Sequence, residues 1–516
     1  KLYRQALEIY QRIAAGDPDN TDLQSNLAGL YSVIGDGKIR LKRDEEGLKQ
    51  YRQALEIYQR IAVGDPDNTD LQSKLAVLYA VIGDGKIRLK RNEEGLKQYR
   101  QALEIYQRIA NGDSDNTDLQ NKLAGLYSVI GDVLIDLMRY EEGGQNYQQA
   151  LLIFQRLLAD DPDKLDLQSM LAGLYGRIGS TQLHLERYDE ALKYYQHSLD
   201  VLQHLSSEDS EYQGLQSWLA DLHGVIAGIS RLHTDRYEEV VRHYHQALII
   251  RKGLADANPE NPELQSKEAD IHTQIGHVFQ VNLKKNDEAL KYYQQSLLIF
   301  QRLLSADPDN SALQSKLAGM YGAIGDILRA HLNKAEEASQ YFDKATNILT
   351  KLADKNPDDP DLYNRLGAFL HDQGKLKEAA EVYEKALKAF PEDKGLLSND
   401  IETAWLQDDV PRCRQRIAAL DKLLKPEDAL YSIVRFYEWL LQPKSSWQPL
   451  LSAIQSAGEK NRYNWIFQTT IPKIKQLSDT PRQAAEAFIE YFEFKINLKE
   501  LQKKLDTLPK QATNYP

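Results

Sequence analysis

The sequence predicts an all-α solenoid of helix hairpins, closed by a C-terminal helical domain. Three observations carry that prediction. Thr21–Asn68 and Thr69–Asn116 agree at 42 of 48 positions, and self-similarity at a fixed period of this order marks a repeat array. Each copy holds two amphipathic stretches, neither of which can bury its apolar stripe alone. After residue 393 the period is lost while helical patterning continues.

The chain opens inside a unit. "KLYRQALEIYQRIAAGDPDN" at its start matches "KQYRQALEIYQRIAVGDPDN" from Lys49, so the first repeat is partial and the chain is read as truncated upstream. Seven long units follow: Thr21–Asn68, Thr69–Asn116, Thr117–Lys164, Leu165–Tyr212, Gln213–Asn261, Pro262–Asn310 and Ser311–Asp359. The period is 48 for four of them and 49 for three, and a unit of 34 residues, Pro360–Asp393, ends the series. In the first long unit, Leu23, Leu27, Leu30, Tyr31 and Ile34 share one face of a first helix. Leu48, Tyr51, Ala54, Leu55, Tyr58 and Ile61 do the same on a second helix, with a break at Arg43-Asp44-Glu45. Gln213–Asn261 departs locally: Ala227 stands where the other units hold glycine, and "SSEDSEYQG" before it lacks the usual proline.

The stretch "GDPDNTDLQS" (Gly16–Ser25, repeated at Gly64–Ser73) packs carboxylates as a calcium loop would. Read as an EF-hand it lacks an oxygen ligand of the right kind at position 5, glycine at position 6 and glutamate at position 12, where Thr21, Asp22 and Ala28 stand. Punctuation explains more of it. Pro18 stops one helix, and Thr21 with Gln24 reads as a capping box for the next, repeated at Thr69/Gln72, Thr117/Gln120 and Ser311/Gln314.

The short unit, "DLYNRLGAFLHDQGKLKEAAEVYEKALKAFPED", resembles a tetratricopeptide repeat at Tyr363, Leu366, Gly367, Leu370, Ala379, Tyr383, Ala386 and Pro391. Gly367 and Ala379 are small where two helices cross closely, and larger residues fill the surrounding space. The long units look like an elongated form of the same repeat, keeping Gly35, Gly47, Tyr51 and Ala54, and resemble bacterial arrays found beside signalling domains. The resemblance covers residues 1–393. It implies a right-handed superhelix whose first helices line a concave face.

Composition and motifs argue against chemistry. The net charge is −12. From Lys394 onward 18 basic residues face 15 acidic ones, which leaves 46 against 61 before it, a balance of −15. An acidic array repels nucleic acid and anionic membrane and suits a neutral or basic protein or peptide. No apolar run is long enough for a membrane span, and the single cysteine fits a reducing, cytoplasmic setting. Nine of the eleven histidines fall between His184 and His277, but His243 and His245 are two apart and point to different helix faces. Phosphate loops, serine-hydrolase elbows and zinc-protease motifs do not occur. Cys413 in "PRCRQR" has arginine neighbours that favour a thiolate, against the plainer reading of an incidental cysteine. The expectation is no enzyme, no metal and no cofactor.

What a partner would meet is read from the first helices. Just after the recurring glycine stand Asp36, Asp84, Asp132, Ser180, His277 and Asp326, and four residues on stand Arg40, Arg88, Asp136 and His184. Small residues such as Ser32, Ala80 and Ser128 precede the glycine by three and leave room for a partner's chain. The chaperone-binding members of the family hold a carboxylate with Lys, Arg and Asn. Here the column is mainly Asp, so a free carboxylate is not the expected ligand. The alternative for these columns is simple solvation of an exposed face.

The last segment, 394–516, holds four of the five tryptophans (Trp405, Trp439, Trp447, Trp465). A helical cap over the open end of the array is the expectation, with a partner interface as the alternative. The function expected is a non-catalytic scaffold that takes a protein or peptide in the concave groove of residues 1–393. The alternative is the sensor or oligomerisation arm of a larger signalling or defence protein whose N-terminal effector lies outside this chain. Oligomeric state is not legible.

Overall fold

The computed structural model of the chain describes residues 2–208, 213–330, 332, 334–443, 445–458, 467, 469–493 and 495–509. Among them all regular structure is helical, and within each unit helices pair into hairpins that stack on one another. Two compact units divide the chain, Lys1–Leu264 and Gln265–Pro516. Part of the "SSEDSEYQG" stretch (209–212) and Trp465 lie outside the described residues.

The first unit opens with α1 (Leu2–Gly16). Hairpins follow: α2 (Thr21–Arg40) with α3 (Asp44–Gly64), α4 (Thr69–Arg88) with α5 (Asn92–Gly112), and α6 (Thr117–Asp136) with α7 (Tyr140–Asp160). Two more are α8 (Leu165–His184) with α9 (Tyr188–Glu208), and α10 (Gln213–His233) with α11 (Tyr237–Ala257). Helix α12 (Pro262–His277) crosses the division and runs on into a π-helical turn, Val278–Asn282. Within the second unit come α13 (Asn286–Ala306), α14 (Ser311–Ala330), α15 (Ala335–Lys355), α16 (Pro360–Asp372) and α17 (Leu376–Ala389). Beyond them lie α18 (Lys394–Leu406), α19 (Val410–Asp421), α20 (Ala429–Leu440), α21 (Gln448–Ala457), α22 (Ile471–Ile474), α23 (Asp479–Phe492) and α24 (Leu498–Asp506).

The acidic loop is helix punctuation, with one correction. The N-cap of α2 is Asn20, not Thr21: its side chain accepts from Leu23 N at 3.1 Å, and Thr21 is already helical. Asn68, Asn116 and Asn310 repeat the bond at 3.1 Å. Asparagine is the stronger cap of the two, so it takes the position. Gln24 does not close a capping box; its amide turns back to Ala14 O at 3.1 Å, as Gln72 turns to Pro66 O at 3.0 Å. The carboxylate of Asp17 accepts from the amide of Asn20 at 3.1 Å, and Asp65 from Asn68 at 3.0 Å. These aspartates fix the caps.

Inside the hairpins from α2–α3 to α8–α9 the turn is a left-handed C-cap. Lys42 N donates to Ile39 O at 2.9 Å and Arg43 N to Lys38 O at 3.0 Å, which is how a helix end satisfies its last carbonyls. The residue at positive φ is Lys42, Lys90, Met138, Glu186 and Lys284 in the long units, and Gly374 in the short one. A side chain there costs energy that glycine avoids. Met138 is 77% exposed and packs little. Met138→Gly is therefore expected to stabilise the array by roughly 0.5–1 kcal/mol, less the added freedom of the unfolded chain; a lower denaturation midpoint than wild type would contradict it.

Neighbouring hairpins are tied by a ladder. Gln11, Gln59 and Gln107 donate to the hydroxyls of Tyr31, Tyr79 and Tyr127 in the next hairpin, at 2.6, 2.7 and 2.7 Å. Apolar cores run across the same joints: one spans α1 to α6, and in the second unit one spans α14 to α24.

The hairpin pattern does not stop at residue 393. Helices α18 and α19 pack on each other much as α16 and α17 do, and Asp408 takes the left-handed turn position. The period is invisible there because its key residues are exchanged. Thirty-four residues after Gly367 and Tyr383 stand Ile401 and Ile417, both buried, a swap of one small and one large residue for two of middle size. Cys413 fills the place of Ala379 at the helix crossing, is fully buried, and lies 3.8 Å from Ile401 O. Burial pushes its thiol up to about 12, with Asp400 and Asp409 adding to the rise, so the arginine neighbours do not make it a thiolate. Trp405 and Trp439 are buried too, their indole N–H groups donating to Leu440 O at 3.4 Å and Ser445 O at 3.2 Å. Those two rings are core, not an open interface.

Candidate functional site

On a helix, residues spaced by four and three share a face. The outward stripe of α2 is Gly29, Val33, Asp36 and Arg40, and that of α4 is Val77, Val81, Asp84 and Arg88. Helices α6 and α8 continue with Gly125, Val129, Asp132, Asp136 and with Gly173, Arg177, Ser180, His184. All of these first helices belong to the first unit.

The aspartate column is half structural. Tyr51 Oη donates to Asp36 at 2.5 Å, Tyr99 Oη donates to Asp84, and Tyr147 Oη donates to Asp132 at 2.6 Å. Each bond joins the second helix of a hairpin to its first. Burial, then the aspartate bond, raises all three tyrosine hydroxyls far above the ordinary range. Asp132 also meets Arg177 Nε of the next hairpin at 3.4 Å. Ser180 takes the same place opposite Tyr195.

The second column is spent partly on neighbours. Arg88 Nε stands 3.3 Å from Asp44 of the preceding hairpin. At the same joint further along, His184 stacks on Tyr140 with ring centres 4.7 Å apart. Arg40 and Asp136 are exposed.

In the second unit, His277 is half-buried at the end of α12. Asp326 faces a hairpin in which Phe342 replaces the tyrosine, so it has no phenol donor. Burial and then the nearby Asp372 carboxylate push its acid up to about 7, against the pull of Arg329, whose Nη2 lies 3.4 Å away.

What the sequence reading passed over is the apolar half of the stripe. Val33 and Val77 are 43% and 47% exposed, and Val81 and Val129 are half-buried beside them. The signal was available: branched apolar residues on the outward face of an otherwise amphipathic helix need a reason. Among the described residues, no three His, Cys, Asp or Glu side chains are placed to hold a metal ion, and no helix is long and apolar enough to cross a membrane.

Residues 316–392 match a model described as tetratricopeptide repeat, and residues 172–201 match a second of the same description. These segments are tetratricopeptide-like repeats. No curated protein matches the chain. Several solved structures do. BtubC from P. vanneervenii is 19% identical over 51% of this chain and 92% of its own, with a TM-score of 0.36. A tetratricopeptide repeat protein from Parabacteroides merdae is 13% identical over 64% and 98%, with a TM-score of 0.37. The C-terminal part of a repeat-containing protein from Cytophaga hutchinsonii is 12% identical over 61% and 97%, with a TM-score of 0.35.

Proposed function

We propose that this chain is a non-catalytic scaffold that takes a protein or peptide segment along the outward stripe of its tetratricopeptide-like first helices. The observation that carries this reading is the set of exposed and half-buried valines (Val33, Val77, Val81, Val129) beside a polar column on α2, α4 and α6. A repeated apolar strip with a charged margin suits an extended partner lying across several units. The acidic balance of residues 1–393 favours a neutral or basic one. In this reading the valines supply contact, while Asp36, Asp84 and Asp132 keep the hairpins closed. Residues 394–516 serve as the cap of the array.

A photo-crosslinking residue at Val81 tests the reading, with one at Glu56, exposed on the second helix α3, as control. The expected result is a discrete adduct from position 81 and none from 56. Equal labelling from both positions, or none from 81, removes the stripe from consideration.

A further inference from the structure

The α10–α11 hairpin departs from its neighbours where its two helices face each other. At that seam the hairpins α8–α9 and α14–α15 pair Tyr175 with Tyr194 and Tyr321 with Tyr341, ring centres 6.2 and 5.9 Å apart. Here the pair is His223 and His243, with ring centres 5.2 Å apart and Nδ1 to Nδ1 at 3.0 Å. His223 is 6% exposed. Arg251 is also particular to this hairpin: it stands where Tyr58, Tyr106, Phe154 and Leu202 stand in the earlier hairpins, is fully buried, and donates to Ser217 Oγ at 2.8 Å while pairing with Asp221.

We propose that the His223–His243 contact makes α10–α11 an acid-labile joint of the array. A 3.0 Å contact between two Nδ1 atoms requires that one imidazole donates and the other accepts, so at least one ring is neutral. The first added proton goes to the outer Nε2 of the donating ring and leaves the Nδ1–H···Nδ1 bond in place. The second leaves two N–H groups facing each other, with no acceptor and like charge. A tyrosine pair at the same seam has no such transition below strongly alkaline pH.

The surroundings do not relieve the charge. On α11, Glu239 favours protonation of His243 and Arg242 opposes it. On α10, Asp221 is engaged by Arg251. Helix α9 presents Gln203 at the ladder position, uncharged at every pH, and its His197 packs on Tyr175 and Tyr194. Burial, then His243, holds His223 down at about 4, and burial lowers His243. The folded hairpin therefore takes up protons later than the unfolded chain. Its contribution to stability is present above the ordinary histidine range and is lost as pH falls toward 4.

Hydrogen exchange on the full chain at about pH 7.5 and about pH 4.5, corrected for intrinsic rates, tests the proposal. The expected result is a loss of protection in α10 and α11 at least about tenfold greater than in α4 and α5, abolished in H223Y/H243Y. A uniform loss across hairpins, or an excess that persists in the tyrosine variant, overturns it. If that variant does not fold, imidazole titration by NMR on the wild type decides. Two resonances that titrate together below about pH 5 support the joint, and titration near the ordinary histidine value, about 6.5, overturns it.

Discussion

Asp400→Ala is expected to destabilise the chain by about 3–5 kcal/mol, the cost of leaving buried charge without its partner. Asp400 is fully buried on α18 and serves two arginines of α19. Arg412 Nε reaches it at 3.2 Å and Arg416 Nε at 2.8 Å. The same arginines extend to α17, where Arg412 donates to Ala380 O at 3.1 Å and Arg416 pairs with Glu384. Three helices are thereby tied through one carboxylate. Its acid is nonetheless held above the usual range, because burial outweighs the attraction of Arg416 and Arg412. Asp400→Asn keeps part of the hydrogen bonding and is expected to cost less than alanine. Urea denaturation of both variants checks the order; equal midpoints for alanine and wild type would mean that the arginines are hydrated without it.

The second large effect is expected at the helix crossing. A Cβ added to Gly35 would lie 2.6 Å from Tyr51 Cε1, closer than packed carbons approach. Gly35→Val must displace the Tyr51 ring, and that displacement also breaks the bond from its hydroxyl to Asp36. Overpacking of this kind costs roughly 1–3 kcal/mol, and the lost hydrogen bond adds about 1. Gly228 is the control: its added Cβ meets nothing nearer than Tyr244 Oη at 3.8 Å, so Gly228→Ala is expected to be neutral or slightly stabilising. Thermal unfolding of the two single variants separates crossing glycines from permissive ones. A Gly35→Val protein as stable as Gly228→Ala would mean that the tyrosine ring moves freely.

The contrast shows what could be read before the coordinates. The glycine–tyrosine crossing was legible because one small and one large residue recur at fixed spacing, and spacing fixes which residues meet on a helix pair. The hairpin of α18 and α19 was not, because Ile401 and Ile417 satisfy the same volume without the glycine and the tyrosine. The cap was misplaced by one residue, since Asn20 and Thr21 both suit the position and only geometry chooses. Asp36, Asp84 and Asp132 were recognisable as a column, but their tyrosine partners lie on another helix. No local pattern says that a surface aspartate is already half used.

The ladder from Gln59 to Tyr79 and from Gln107 to Tyr127 has an evolutionary consequence. Removing residues 69–116 in frame would join Asn68 to Thr117, keep the cap on Leu119 and set Gln59 against Tyr127. The cap and the ladder would be remade with the same atoms, while Asp136 would face Asp44 in place of Arg88 and Val133 would meet Leu48 in place of Gly85. Gene-level recombination between these copies can therefore shorten or lengthen the chain by whole units with the cap and ladder bonds kept, and the few positions at which the copies differ decide which array lengths pack well.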